Sequence, residues 1–141
     1  MYDSLPKNEK SFDIDVVGDT TGFKYQGQFT VLCILDMAGK HALELEKTRL
    51  MADYANPSRG LFGIATSLAT IRTKVVSSPA WWKNAEDGAG IKDENLVFVV
   101  YDQCNDMEKQ WREELKKSSE EAAKEAPSAA TEEAVKETKE D

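Results

Sequence analysis

The residues able to do chemistry are few and scattered. His41 is the single histidine. It falls between Lys40 and Ala42 in a segment read as helix, so it is expected on a solvated face rather than in a catalytic triad. Cys33 and Cys104 lie far apart within apolar patterns and read as buried thiols acting as small hydrophobes. A disulfide would require the fold to bring them together. Without a C-x-x-C pair, two cysteines and one histidine make no metal site. Ser4-Leu5-Pro6-Lys7 spells S-x-x-K, but in a polar arm that lacks the rest of such a site. Gly88-Ala89-Gly90 lacks the third glycine and the strand–turn–helix setting of a nucleotide loop. Carboxylate pairs such as Asp13/Asp15 and Glu44/Glu46 carry little information in a chain with 26 acidic residues. No catalytic residue, cofactor or metal is therefore expected, and the chain reads as a non-enzyme.

The 141 residues carry a formal net charge of −8, with a pI near 4.8. That balance opposes a nucleic-acid partner bound through its phosphates. No run approaches the ~20 apolar residues of a membrane span, and the N-terminus lacks a signal-peptide apolar region. A cytoplasmic location is the expectation.

Three segments are expected. Residues 1–10 read as a flexible arm, 11–115 as one α+β domain, and 116–141 as a disordered tail of Lys, Glu, Ala, Ser and Thr. Helix is expected to fray to about Ala123, and Pro127 stops any helix there. The tail could solubilise, dock or tether. Within the domain, Phe12, Ile14 and Val16 alternate with Asp13 and Asp15, the period of a half-buried strand. Gly18 to Gly22 reads as a turn, and Phe23 to Leu35 as a second strand, completing a β-hairpin. Gly27 would mark a bulge. Leu32 and Ile34 make the end of that strand apolar on both faces, which something must cover.

Three main helices follow. Asp36 would cap a helix over 37–55 that uses Leu43, Leu50, Met51 and Tyr54. Arg59 to Val76 would form a central helix on Leu61, Ile64, Ala65, Leu68, Ile71 and Val75, its stripe widened by Phe62 and Ala69. Asp93 would cap a last helix carrying Val97, Val100, Cys104, Met107, Trp111 and Leu115. Residues 96–101 have strand-like composition, but the helical period continues past them.

Apolar residues outside these stripes suggest binding. Trp81 and Trp82 are adjacent and should not share one core; they pack at the domain edge or meet a partner. Trp81, Trp82, Leu61 and Phe62 are the expected partner contacts. Tyr25, Phe29 and Val31 are the expected self-association contacts on the hairpin, which would make a homo-oligomer.

The order of these features resembles the tail-assembly-chaperone class of long-tailed bacteriophages. The hairpin FDIDVVGDTTGFKYQGQFTVLCILD holds a Y-x-G-x-F strand (Tyr25, Gly27, Phe29). It is followed by LEKTRLMADY, LFGIATSLATIRTKVV, SSPAWWKN and DENLVFVVYDQCNDMEKQW. The resemblance implies a small acidic protein that coats a helical tape-measure client and helps recruit tail-tube subunits. It also implies a C-terminal region suited to a frameshift junction, and no catalytic residue. The alternatives are a structural tail or virion component, and an acidic adaptor that docks through its tail.

Overall fold

The computed structural model describes residues 5–52 and 58–125. Strand β1 (Glu9–Val17) pairs antiparallel with β2 (Lys24–Leu32), Phe12 opposite Phe29 and Val16 opposite Tyr25. Alternation sorts the two faces. Phe12, Ile14, Tyr25, Phe29 and Val31 are buried, while Glu9, Ser11, Asp13, Asp15, Lys24, Gln26 and Gln28 are exposed. The turn closes through Gly18 N donating to Phe23 O at 2.8 Å, and Gly22 takes φ +75°.

The hairpin gains a third strand that periodicity does not predict. The helix α2 (Arg59–Lys74) stops two residues short of Val76, and β3 (Val75–Ser77) pairs antiparallel with β2, giving the order β1-β2-β3. Val75 and Val76 are β-branched, and β2 offers a free edge, so pairing wins over two more helical residues. Gly27 is not a bulge: it sits in register opposite Ile14. A Cβ there would run into the ring of Pro79, so close approach is what requires glycine. The irregularity lies instead at Thr30/Val31, against β3.

Helix α1 (Met37–Met51) begins as expected, with Asp36 Oδ1 accepting from Gly39 N at 2.8 Å. None of its residues is fully buried; Leu43, Leu50 and Met51 are half-buried. Its Gly39 and Ala42, with Leu32 and Ile34, line a cavity of about 340 Å³ beside the strand end. The expected continuation to residue 55, including Tyr54, lies outside the described residues. Ser58 caps α2, its Oγ accepting from Leu61 N at 3.2 Å. From Ala65 to Ile71, α2 is buried at every residue but Thr66, because α1 packs on one side and the last helix on another.

After the short α3 (Ala80–Asn84) comes a tight loop. Glu86, Asp87 and Gly88 all take positive φ, and the Arg72 guanidinium donates to the Glu86 and Asp87 carbonyls at 2.8 and 3.2 Å. Arg72 also reaches Glu46 on α1, tying three elements together. Helix α4 (Glu94–Glu125) buries Leu96, Val97, Val100, Cys104, Met107 and Trp111, so residues 96–101 are helical. It crosses the expected boundary at 116 and carries on through Glu125. Lys, Glu and Ala are strong helix formers, and extending an existing helix needs no new nucleus. The expected disorder of residues 126–141 lies outside the described residues.

Candidate functional site

The turn of the hairpin is gripped by the start of α4. Asp93 stands at the expected capping position, and its carbonyl accepts from Leu96 N at 3.1 Å. Its side chain turns away from its own helix. Oδ1 accepts from the backbone N–H groups of Thr20 and Thr21 at 2.8 and 2.7 Å. Oδ2 accepts from Thr21 Oγ1 at 2.6 Å and from the Tyr25 hydroxyl. Asn95 adds two bonds, accepting from Asp19 N and donating to Val17 O, each at 3.0 Å. Burial pushes the Asp93 carboxyl upward, but the bonds from Thr21, Tyr25 and Thr20 outweigh it and hold the group well below the usual carboxylate range. Burial, then Asp93 itself, raises the Tyr25 phenol. Gly18 has to be glycine, since a Cβ there would fall on the Asp93 carboxyl.

This clasp fixes one wall of a shallow cleft of about 440 Å³, formed by Thr21, Gly22, Phe23, Tyr25, Trp81 and the Gly90–Lys92 segment. Phe23 and Tyr25 lie 4.8 Å apart between ring centroids, and Tyr25 and Trp81 5.0 Å apart. Phe23 is 54 % exposed and Trp81 half-buried, while the Tyr25 ring is buried behind them. Trp81 is aimed by its Nε1–H, which donates to Gln26 O at 2.9 Å. Lys92 stands exposed on the rim. Chemically the cleft is a rigid aromatic platform. The Thr21 hydroxyl already donates to Asp93, and four donors and a depressed pKa make that carboxylate a weak base. The platform suits an apolar side chain, with charge recognition confined to the rim.

The expected contact residues separate into two groups. Trp81 lines the cleft. Leu61 is half-buried and Phe62 50 % exposed at the start of α2, where the Lys47 ammonium lies 5.3 Å from the Phe62 centroid. Trp82 is 1 % exposed and belongs to the core. The two tryptophans do share one core residue: both rings meet Phe29 edge-on, at 5.8 and 5.4 Å, because α3 lies across the sheet and straddles that ring. Phe29 and Val31 are fully buried and Tyr25 nearly so. The hairpin face that carries them packs against α3 and α4 within the one chain, and of the three only Tyr25 lines the cleft.

Phe23, Ile91 and Lys92 were not singled out in the sequence. Phe23 reads there as one more strand residue, although its place directly after the turn glycine is a signal that the chain end of a strand exposes it. Ile91 is a lone apolar residue between Gly90 and Lys92, outside every periodic stripe. His41 is exposed on α1. Among the described residues, no group of three or more His, Cys, Asp or Glu side chains is placed to hold a metal ion, and no helix is long and apolar enough to cross a membrane. No protein-family model matches the chain, and no curated protein or solved structure matches it either.

Proposed function

We propose that this protein is a binding protein without catalytic activity, an assembly chaperone of the long-tailed-phage type. Its client is an amphipathic helix of the tape-measure kind, which must be shielded in the host cytoplasm until tail components assemble around it. The observation that supports this reading is the aromatic cleft: Phe23 and Trp81 are held open to solvent on a wall that the Asp93 clasp keeps rigid. A large apolar side chain on one face of a client helix would seat on that platform, the helix-anchor mode of recognition. The net charge of −8 would keep the loaded complex soluble. Leu61 and Phe62 offer a second apolar contact on α2. Self-association through Tyr25, Phe29 and Val31 is not part of the proposal, since those side chains are used in the core.

The test is co-expression with a helical tape-measure segment, followed by co-purification. A stoichiometric complex that Phe23→Ser weakens at least about tenfold, with an unchanged melting temperature, supports the reading. Binding that is indifferent to Phe23→Ser removes the cleft from it. Recovery of the chain from assembled particles would replace the chaperone with a structural tail subunit.

A further inference from the structure

A second cavity, of about 460 Å³, lies between α1, α2 and α4. Its character is opposite to that of the aromatic cleft. Its lining includes three aliphatic side chains, Ile34, Leu35 and Leu43. It also includes three cations, Lys40, Lys74 and Arg112, and one carboxylate, Glu108. In a chain of net charge −8, a cavity with two positive charges in excess is an outlier.

Lys74 makes this a built site. It is 4 % exposed, and its ammonium donates to Glu108 Oε1 at 3.0 Å and to Cys33 O at 3.3 Å. An ammonium has three N–H bonds, so one donor remains after these two. Arg112 spends its Nε on Glu108 Oε2 at 3.2 Å, leaving its terminal nitrogens available. Lys40 has no carboxylate partner among the described residues. The Tyr101 hydroxyl and the Asn105 amide, both lining the cavity, make no side-chain hydrogen bond among the described residues. Donors with capacity to spare thus line the same cavity as three aliphatic side chains, and its volume falls in the range of small-molecule sites.

We propose that this cavity binds a small organic carboxylate, its head among Lys40, Lys74 and Arg112 and its apolar body against Leu43, Ile34 and Leu35. A head group there meets charge-assisted donors, and the buried Lys74 ammonium acts more strongly than it would on an open surface. The site lies apart from the aromatic cleft and does not depend on client binding.

The full chain, labelled with ¹⁵N, would be titrated with sodium hexanoate and separately with hexanamide, which has the same body and no charge. Saturable shifts centred on Lys40, Lys74 and Tyr101, with hexanamide at least about tenfold weaker, are expected. The double variant Lys40→Gln/Arg112→Gln alters two exposed side chains and should keep the fold. It should bring hexanoate down to the affinity of hexanamide. Equal binding of the two probes, shifts centred on Phe23 and Trp81, absence of saturation, or full hexanoate affinity in the double variant would each overturn the assignment.

Discussion

Replacing Phe29 with alanine separates a core residue from a subunit contact. Phe29 is fully buried and stacks on Phe12 at 5.5 Å with 11° between planes, while Trp81 and Trp82 meet its edge. Truncation of a buried phenylalanine costs about 3–5 kcal/mol. Loss of three ring contacts, each contributing roughly 0.5–1.5 kcal/mol beyond area, places this site at the upper end of that range. With an m-value of about 1.5 kcal/mol per M of urea, a loss of ~4 kcal/mol lowers the unfolding midpoint by about 2.7 M. The assay is urea unfolding followed by tryptophan fluorescence and repeated over about a hundredfold range of protein concentration, since only a subunit contact makes the midpoint concentration-dependent. Phe29→Leu loses the same ring contacts but keeps much of the volume, so it should cost about 1.5–3 kcal/mol, less than alanine, and guards against a variant too unstable to measure. A loss below about 1 kcal/mol for Phe29→Ala, or a wild-type midpoint that rises with concentration while the variant's does not, would refute the reasoning and return Phe29 to an interface.

Trp111→Ala should cost about 3–5 kcal/mol, because the ring is buried and its Nε1–H donates to Pro6 O at 3.1 Å; an unchanged melting temperature would place it at the surface. Asp93 has a folded pKa below its unfolded value of about 3.9, so its stabilisation is complete above that value and is lost as pH falls through the folded one. Wild type should therefore lose stability more steeply than Asp93→Asn below about pH 4 in urea midpoints, and parallel acid limbs would contradict the clasp. Gly88→Ala should destabilise by about 1–3 kcal/mol, since φ is +95° and the new methyl meets the Trp82 ring; a neutral effect would mean the loop relaxes freely. Cys33 and Cys104 are fully buried, and burial pushes the Cys104 thiol up to about 12. Neither should react with a disulfide reagent at pH 8 until the chain unfolds, and fast native labelling would contradict the packing.

Periodicity made the hairpin and the long helices legible. Phe12, Ile14 and Val16 alternate over a strand, and Leu96 to Trp111 recur at helical spacing on α4, so one buried face is written into each segment. It failed where tertiary contact overrides local pattern. Val75 continues the helical stripe of α2, yet the free edge of β2 draws it into a strand. Gly27 resembles a bulge in sequence, and the reason for it, the ring of Pro79, comes from 52 positions along the chain. The candidate site was the least legible part. Aromatic residues in an alternating strand look alike whether they point into the core or stand at its rim. Tyr25, Phe29 and Trp82 went inward and Phe23 outward because of where α3 and α4 close the sheet. Asp93 reads as an ordinary helix cap, and nothing in its neighbours reveals that its carboxylate serves a turn some 72 residues earlier.

The clasp and the contacts around it set an order of events during synthesis. The first strand leaves the ribosome early, but what secures it is made late: Asp93 and Asn95 for its turn, Trp111 for Pro6, and Glu114 for Lys10. A two-stranded hairpin alone is marginal in water. The nascent chain therefore carries Phe12 and Ile14 incompletely covered until most of α4 has emerged, and loop closure over roughly a hundred residues completes the domain late. During that interval the emerging chain is itself an exposed apolar surface. Slow translation before residue 93 would lengthen it, and premature release there would yield a fragment prone to aggregate rather than a smaller working protein.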